Sequence, residues 1–170
     1  MSFSKAIDVF LLPGECFVGD ERYRIRTLVG SCVSMTLWHP RVRIGAMCHF
    51  LLPGVSRRPG SAASGTYGID AMDMMVAELQ RLGVNLGQCQ GKIFGGGAMF
   101  PRHDKQVDIG RQNGDCARLL MQKYGVHVVS EDLFGDGHRQ LIFTLKSGEV
   151  LCRQVPLDAA APVRRVKENA

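Results

Sequence analysis

Two residues in the N-terminal third have the types and spacing for covalent hydrolysis. Cys32 closes the run Thr27-Leu28-Val29-Gly30-Ser31-Cys32, at the junction of two strand-like segments. His49 lies seventeen residues on, in Met47-Cys48-His49-Phe50-Leu51-Leu52-Pro53. Two strands joined by a short connection bring such a pair side by side. A free cysteine has a pKa of about 8.5 and is mostly protonated at neutral pH. A neighbouring imidazole generates the thiolate and later acts as general acid. Gly30 lets the backbone turn sharply and a substrate approach closely. Backbone N–H groups near Ser31 and Cys32 are candidates for holding an oxyanion. A plain structural reading stands beside this one. Single cysteines in a chain with six are mostly small buried hydrophobes, and His49, between Cys48 and Phe50, also suits a hydrogen-bonded core histidine. Spacing alone leaves both open.

Other constellations carry less. Cys16, Cys48, Cys89, Cys116 and Cys152 show no C-x-x-C spacing, and the five histidines do not fall at zinc-ligand distances from them. The expectation is reduced thiols and no metal. Gly95-Gly96-Gly97 has no following Gly-Lys-Ser/Thr and no G-x-G-x-x-G spacing, so a tight turn or close backbone packing is expected there, not nucleotide binding. Lys plus Arg outnumber Asp plus Glu by 21 to 16, a net charge of +5. No nucleic-acid motif frames the basic groups, and an acidic protein partner is the better match.

The elements that must position these residues can be read from periodicity. Ile69, Met72, Met75, Val76, Leu79 and Leu82 form one helical stripe, giving a helix over 69–82 capped by Gly83. A second helix is expected over 114–124, with Asn113 as N-cap and Gly125 ending it. Strands are expected over 22–28, 33–38, 44–52, 92–94, 126–130, 140–145 and 150–155, the last two as a hairpin around Ser147-Gly148. In 22–28, Arg22, Arg24 and Arg26 alternate with Tyr23 and Ile25, a half-exposed strand with charges outward. The order of elements implies an α+β fold: mixed β-sheets in a sandwich-like core with two main helices outside. The segment 59–65 has little to bury and reads as a surface loop or lid. With 170 residues, 45% hydrophobic and 22% charged, the chain is not a disordered one. One domain over 1–157 with a loosely ordered basic tail over 158–170 is expected. No apolar run is long enough to span a bilayer and no signal peptide is apparent, which places the protein in the cytoplasm.

Several of these segments, taken in order, resemble the CheD family of chemoreceptor glutamine deamidases. The similarity rests on Leu12-Pro13-Gly14-Glu15, the Thr27–Cys32 run, His49-Phe50-Leu51-Leu52-Pro53-Gly54, Lys92 to Phe100 around the three glycines, Ile109-Gly110-Arg111-Gln112-Asn113, and Glu131 to Arg139. The resemblance implies a cysteine hydrolase that converts receptor glutamines to glutamates without a cofactor. Cys32 would be the nucleophile, His49 the base and Thr27 the residue that orients it. Tyr67 and the glycine-rich turn, with Gly30 and Ser31, would line the substrate site. The implied partners are chemoreceptor cytoplasmic domains, which a basic surface from Arg22, Arg24, Arg57 and Arg58 would attract, and a CheC-type phosphatase. An adaptor that binds such partners, with catalysis secondary, is the alternative.

Overall fold

The computed structural model describes residues 4–56, 60–100 and 107–157. The chain runs β1 (Ile7–Phe10), β2 (Cys16–Gly19), β3 (Tyr23–Val29), β4 (Val33–His39), β5 (Ile44–Cys48), α1 (Gly68–Arg81), a 3₁₀ turn (Leu86–Gln88), β6 (Gln90–Gly95), α2 (Ile109–Lys123), β7 (His127–Leu133), β8 (His138–Thr144) and β9 (Glu149–Val155). The strands form two mixed sheets, one ordered β1-β3-β8-β9 and the other β2-β5-β4-β6-β7. Parallel pairs join β1 to β3 and β6 to β7; the other neighbours are antiparallel. The expected α+β sandwich is therefore present, with both helices on the outer face of the five-stranded sheet.

Alternation along β4 separates two cores. Val33, Met35 and Leu37 turn toward the helices and join Ala46, Phe50, Met72, Met75, Leu79, Ile93 and Leu120. Ser34, Thr36 and Trp38 turn the other way, since successive strand residues face opposite sides. On that side Ile25, Val29, Met47, Phe94, Leu141 and Phe143 fill the space between the sheets. Trp38 closes this layer with an indole N–H donated to the Leu145 carbonyl at 2.8 Å.

The first helix begins one residue before its expected start, and Gly83 caps it at φ 76°. The second begins five residues earlier than expected. Its N-cap is Asp108, whose carboxylate accepts from the Arg111 N–H at 2.9 Å, and Asn113 lies buried inside the helix. Gly110 and Gly114, within the helix, both serve close packing. A Cβ on Gly110 would sit 2.5 Å from the Gly96 carbonyl oxygen, and one on Gly114 would sit 2.4 Å from the Phe134 ring. Strands β1 and β2 were also not expected; both are four-residue strands flanking Pro13-Gly14. The expected strand 44–52 stops as a regular element at Cys48, leaving His49 just past its end. The tail over 158–170 lies outside the described residues.

Candidate active site

Strand register sets Cys32 and His49 on one face. Val33 and Phe50 exchange both backbone hydrogen bonds, at 3.1 and 3.0 Å, in the same register that pairs Thr36 with Met47. Ser34 is thereby opposite His49, and Cys32 lies diagonally across from it. Phe50 and Cys48 point into the helix-side core, so His49 turns toward the space between the sheets. The opening Leu-Pro-Gly-Glu segment fixes the backbone of His49 from its other side. Gly14 N–H donates to the His49 carbonyl at 2.8 Å, and His49 N–H donates to the Glu15 carbonyl at 3.1 Å.

Thr27 reaches the same space from β3, in the facing sheet. Its Oγ1 lies 2.8 Å from His49 Nδ1 and 2.8 Å from the Leu11 carbonyl oxygen. A carbonyl only accepts, so the single hydroxyl proton of Thr27 is committed to Leu11. Oγ1 must then accept from Nδ1–H, and the proton-free nitrogen of the neutral imidazole is Nε2. Nε2 is buried without a hydrogen-bond partner, as is Ser34 Oγ. Burial pushes the His49 pKa down to about 4, so the ring is a neutral base at physiological pH. Burial pushes the half-buried Cys32 thiol up, opposed by its own backbone N–H. Neither group carries a resting charge.

A scaffold of backbone contacts holds the Cys32 loop. Gly97 N–H donates to the Gly30 carbonyl at 2.8 Å, and Gly96 N–H donates to the Cys32 carbonyl at 2.9 Å. Only glycine fits at 95: φ is 116°, and a Cβ would lie 2.3 Å from the Cys32 oxygen. The three glycines thus serve close backbone packing, as the sequence implied. Arg139, 1% exposed, supports them from beneath. Its guanidinium donates to the Gly95 carbonyl at 3.2 Å, to the Phe134 carbonyl at 2.6 Å and to the Asp132 carboxylate at 3.1 Å. Sequence reasoning missed this residue, because an arginine in a strand next to a Gly-rich turn reads as solvated.

Asn113 was read as a helix cap and is instead a bridge to the site. Its Nδ2 donates to the Ser31 carbonyl at 3.0 Å and to the Leu51 carbonyl at 2.8 Å. It therefore ties the residue before Cys32 to the segment that carries His49. The signal was the Ile-Gly-x-x-Asn element itself, whose Gly110 packs on Gly96 and Gly97.

The remaining expected site residues fall as follows. Ser31 borders Cys32. The space over Gly30 is filled by Met99, whose Sδ would lie 2.7 Å from a Cβ there, and this close approach explains the glycine. Tyr67 sits at the N-cap of α1 with its backbone bridged to Leu52, and it makes no hydrogen bond to Thr27, Cys32 or His49. Asp70, in the first turn of α1, accepts from the Ser56 and Ser64 N–H groups at 3.1 and 3.3 Å. Arg22 and Arg24 are not free charges: they pair with Asp20 at 2.9 Å and Asp8 at 2.6 Å. Arg57 and Arg58 lie outside the described residues. The six cysteines are free. Among the described residues no three His, Cys, Asp or Glu side chains converge as a metal site, and no helix is long and apolar enough to cross a membrane.

Comparison with known proteins places this geometry in context. A family model described as CheD chemotactic sensory transduction matches residues 51–154. A probable chemoreceptor glutamine deamidase CheD 2 of Albidiferax ferrireducens is 52% identical over 155 residues, covering 89% of each chain. A probable chemoreceptor glutamine deamidase CheD 1 of Chromobacterium violaceum is 39% identical over 148 residues, covering 86% of this chain and 77% of that one. A relative of the same description from Methanococcus vannielii is 35% identical over 141 residues, covering 83% of this chain and 91% of its own.

Proposed function

Because the chain belongs to the CheD family, we propose that it is a chemoreceptor glutamine deamidase, with Cys32 as nucleophile, His49 as base and Thr27 as the residue that orients the base. The observation that carries this reading is the Leu11–Thr27–His49 chain of hydrogen bonds. It leaves Nε2 as a bare acceptor on the same face as the Cys32 thiol.

The chemistry follows from two neutral partners. Cys32 Sγ attacks the side-chain amide carbon of a glutamine while its proton passes to His49 Nε2. A sulfur–carbon bond forms, and the carbonyl oxygen becomes an oxyanion held by backbone N–H groups at Ser31 and Cys32. The imidazolium returns its proton to the amide nitrogen, the carbon–nitrogen bond breaks and ammonia leaves. Water, deprotonated by His49, attacks the thioester and releases glutamate and the thiol. Thr27 is uncharged, so it fixes the ring without stabilising a standing imidazolium as a carboxylate would. Proton transfer therefore accompanies attack.

The proposed substrates are receptor cytoplasmic domains, and a CheC-type phosphatase is a second proposed partner; both place the protein in the cytoplasm. Tyr67 belongs to the proposed substrate-binding set, together with Gly30 and Ser31. Intact-mass measurement of a receptor cytoplasmic fragment tests the reading. Each conversion adds about one dalton, since ammonia leaves and water enters. A gain with wild type and none with Cys32→Ala is expected. No gain with wild type on a cognate receptor would sink it in favour of the adaptor.

A further inference from the structure

The Cys32 loop has an unusual division of backbone groups. Three consecutive carbonyls are engaged: Gly30 by Gly97 N–H at 2.8 Å, Ser31 by Asn113 Nδ2 at 3.0 Å, and Cys32 by Gly96 N–H at 2.9 Å. Among the described residues, neither the Ser31 nor the Cys32 N–H donates to a backbone carbonyl. Acceptors are all used and donors are left over, which is the arrangement an anion-binding loop requires.

Two of the three clamps are backbone groups. The third is the side chain of Asn113, wholly buried in α2 and far away in sequence. The Ser31 carbonyl and the Cys32 N–H belong to one peptide unit. That unit is planar and trans, so its C=O and N–H point in opposite directions. Holding the oxygen toward α2 aims the N–H away from it. A hydrogen bond accepted by the oxygen also polarises the unit and strengthens its N–H as a donor. The second Asn113 hydrogen bond, to Leu51 at 2.8 Å, prevents the amide from rotating out of this position.

We infer that Asn113 is the positioning residue of the oxyanion site, acting through the Ser31–Cys32 peptide to aim and polarise the Cys32 N–H. The inference rests on the deamidase reading above and adds a residue to it. It separates Asn113 from the thiol–imidazole pair, because alkylating Cys32 develops no oxyanion, whereas attack on an amide does.

The test measures receptor deamidation and the rate of Cys32 alkylation by iodoacetamide, on wild type, Asn113→Ala and Cys32→Ala, with folding checked by circular dichroism. For Asn113→Ala the expected result is a kcat lower by about 10- to 100-fold, with KM and the alkylation rate within about twofold of wild type. Parallel loss of alkylation and deamidation would overturn the inference, since Asn113 would then be setting the Cys32–His49 pair. Unchanged deamidation would overturn it as well. If Asn113→Ala fails to fold, Asn113→Asp, of the same shape but with an oxygen replacing the donor, decides by the same criteria. Deamidation surviving in Cys32→Ala would instead remove the underlying reading, independently of Asn113.

Discussion

The two faces of the five-stranded sheet are built from the same strands and do different work. On the helix side, Val33, Met35, Leu37, Phe50 and Ile93 form a continuous apolar layer under α1 and α2. On the inter-sheet side, the same strands and their continuations contribute Cys32, Ser34, Thr36 and His49, met by Thr27 from the opposite sheet. Two buried polar atoms in this second space, Ser34 Oγ and His49 Nε2, have no partner. An unsatisfied buried polar group costs about 1–3 kcal/mol. The helix side is an apolar layer, and the inter-sheet side combines a second apolar core with the polar cluster of the candidate site. The lesson is that residue parity along one strand assigns side chains to two different spaces: odd positions of β4 face the helices, and even ones face the inter-sheet space that holds the candidate site at one end.

That contrast can be broken by single substitutions. Cys32→Ala should lower deamidation by about 10⁴-fold or more and leave the thermal midpoint near that of wild type; a large fall in midpoint would show the loop to be structural. Leu37→Ala, on the opposite parity, should cost about 2–5 kcal/mol in denaturant unfolding with an unchanged kcat for the folded fraction. A matching loss of kcat would erase the distinction between faces.

The buried imidazole supplies a pH signature. His49 has a folded pKa of about 4, below its ordinary 6.5. The unfolded chain takes up a proton here first as pH falls. The stability contributed by keeping the ring neutral is thus fully present above pH 6.5 and lost as pH falls to about 4, a change of about 3 kcal/mol. Comparing urea unfolding of wild type and His49→Gln across this window checks it: the acid-side loss should be smaller in the variant. Deamidation itself should persist below pH 6 and fail as the ring protonates near pH 4.

Two smaller effects sharpen the picture. Thr27→Val keeps the shape but removes the acceptor for Nδ1–H, and should reduce kcat about 10- to 100-fold; Thr27→Ser should recover most of it. Gly83→Ala, at φ 76° with nothing within 4 Å of a Cβ, should cost only about 1 kcal/mol of backbone strain and no activity. Steady-state kinetics and thermal melts, respectively, decide these.

Much of this was legible in the sequence where side-chain type and local period agree. The stripe from Met72 to Leu79 gave α1, and the Ser147-Gly148 turn gave the β8–β9 hairpin. Cys32 and His49 stood out because a short loop between strands limits where they can lie, and Thr27 came from the family resemblance. The rest depends on contacts distant in the chain. Asn113 looked like a cap because asparagine is a favoured N-cap residue, and only the close approaches of Gly110 to the Gly96 carbonyl and of Gly114 to the Phe134 ring show why the helix runs through it. Arg139 is buried because the carbonyls of Gly95 and Phe134 surround it, which no local pattern announces. Arg22 and Arg24 read as a free basic surface because the partners Asp20 and Asp8 become neighbours only through a turn and the parallel pairing of β1 with β3.

The order in which the sheet is completed has a consequence for synthesis. Thr27, Cys32 and His49 all emerge within the first fifty residues, yet β3 obtains its second neighbour only when β8 arrives, with Thr27 facing Leu141. Gly95 and Arg139, which steady the Cys32 loop, also come later. A nascent or clipped chain that ends before residue 138 would carry the whole reactive set without the frame that aligns it. Such a chain is expected to be inactive, so that completion of the sheet and onset of activity coincide.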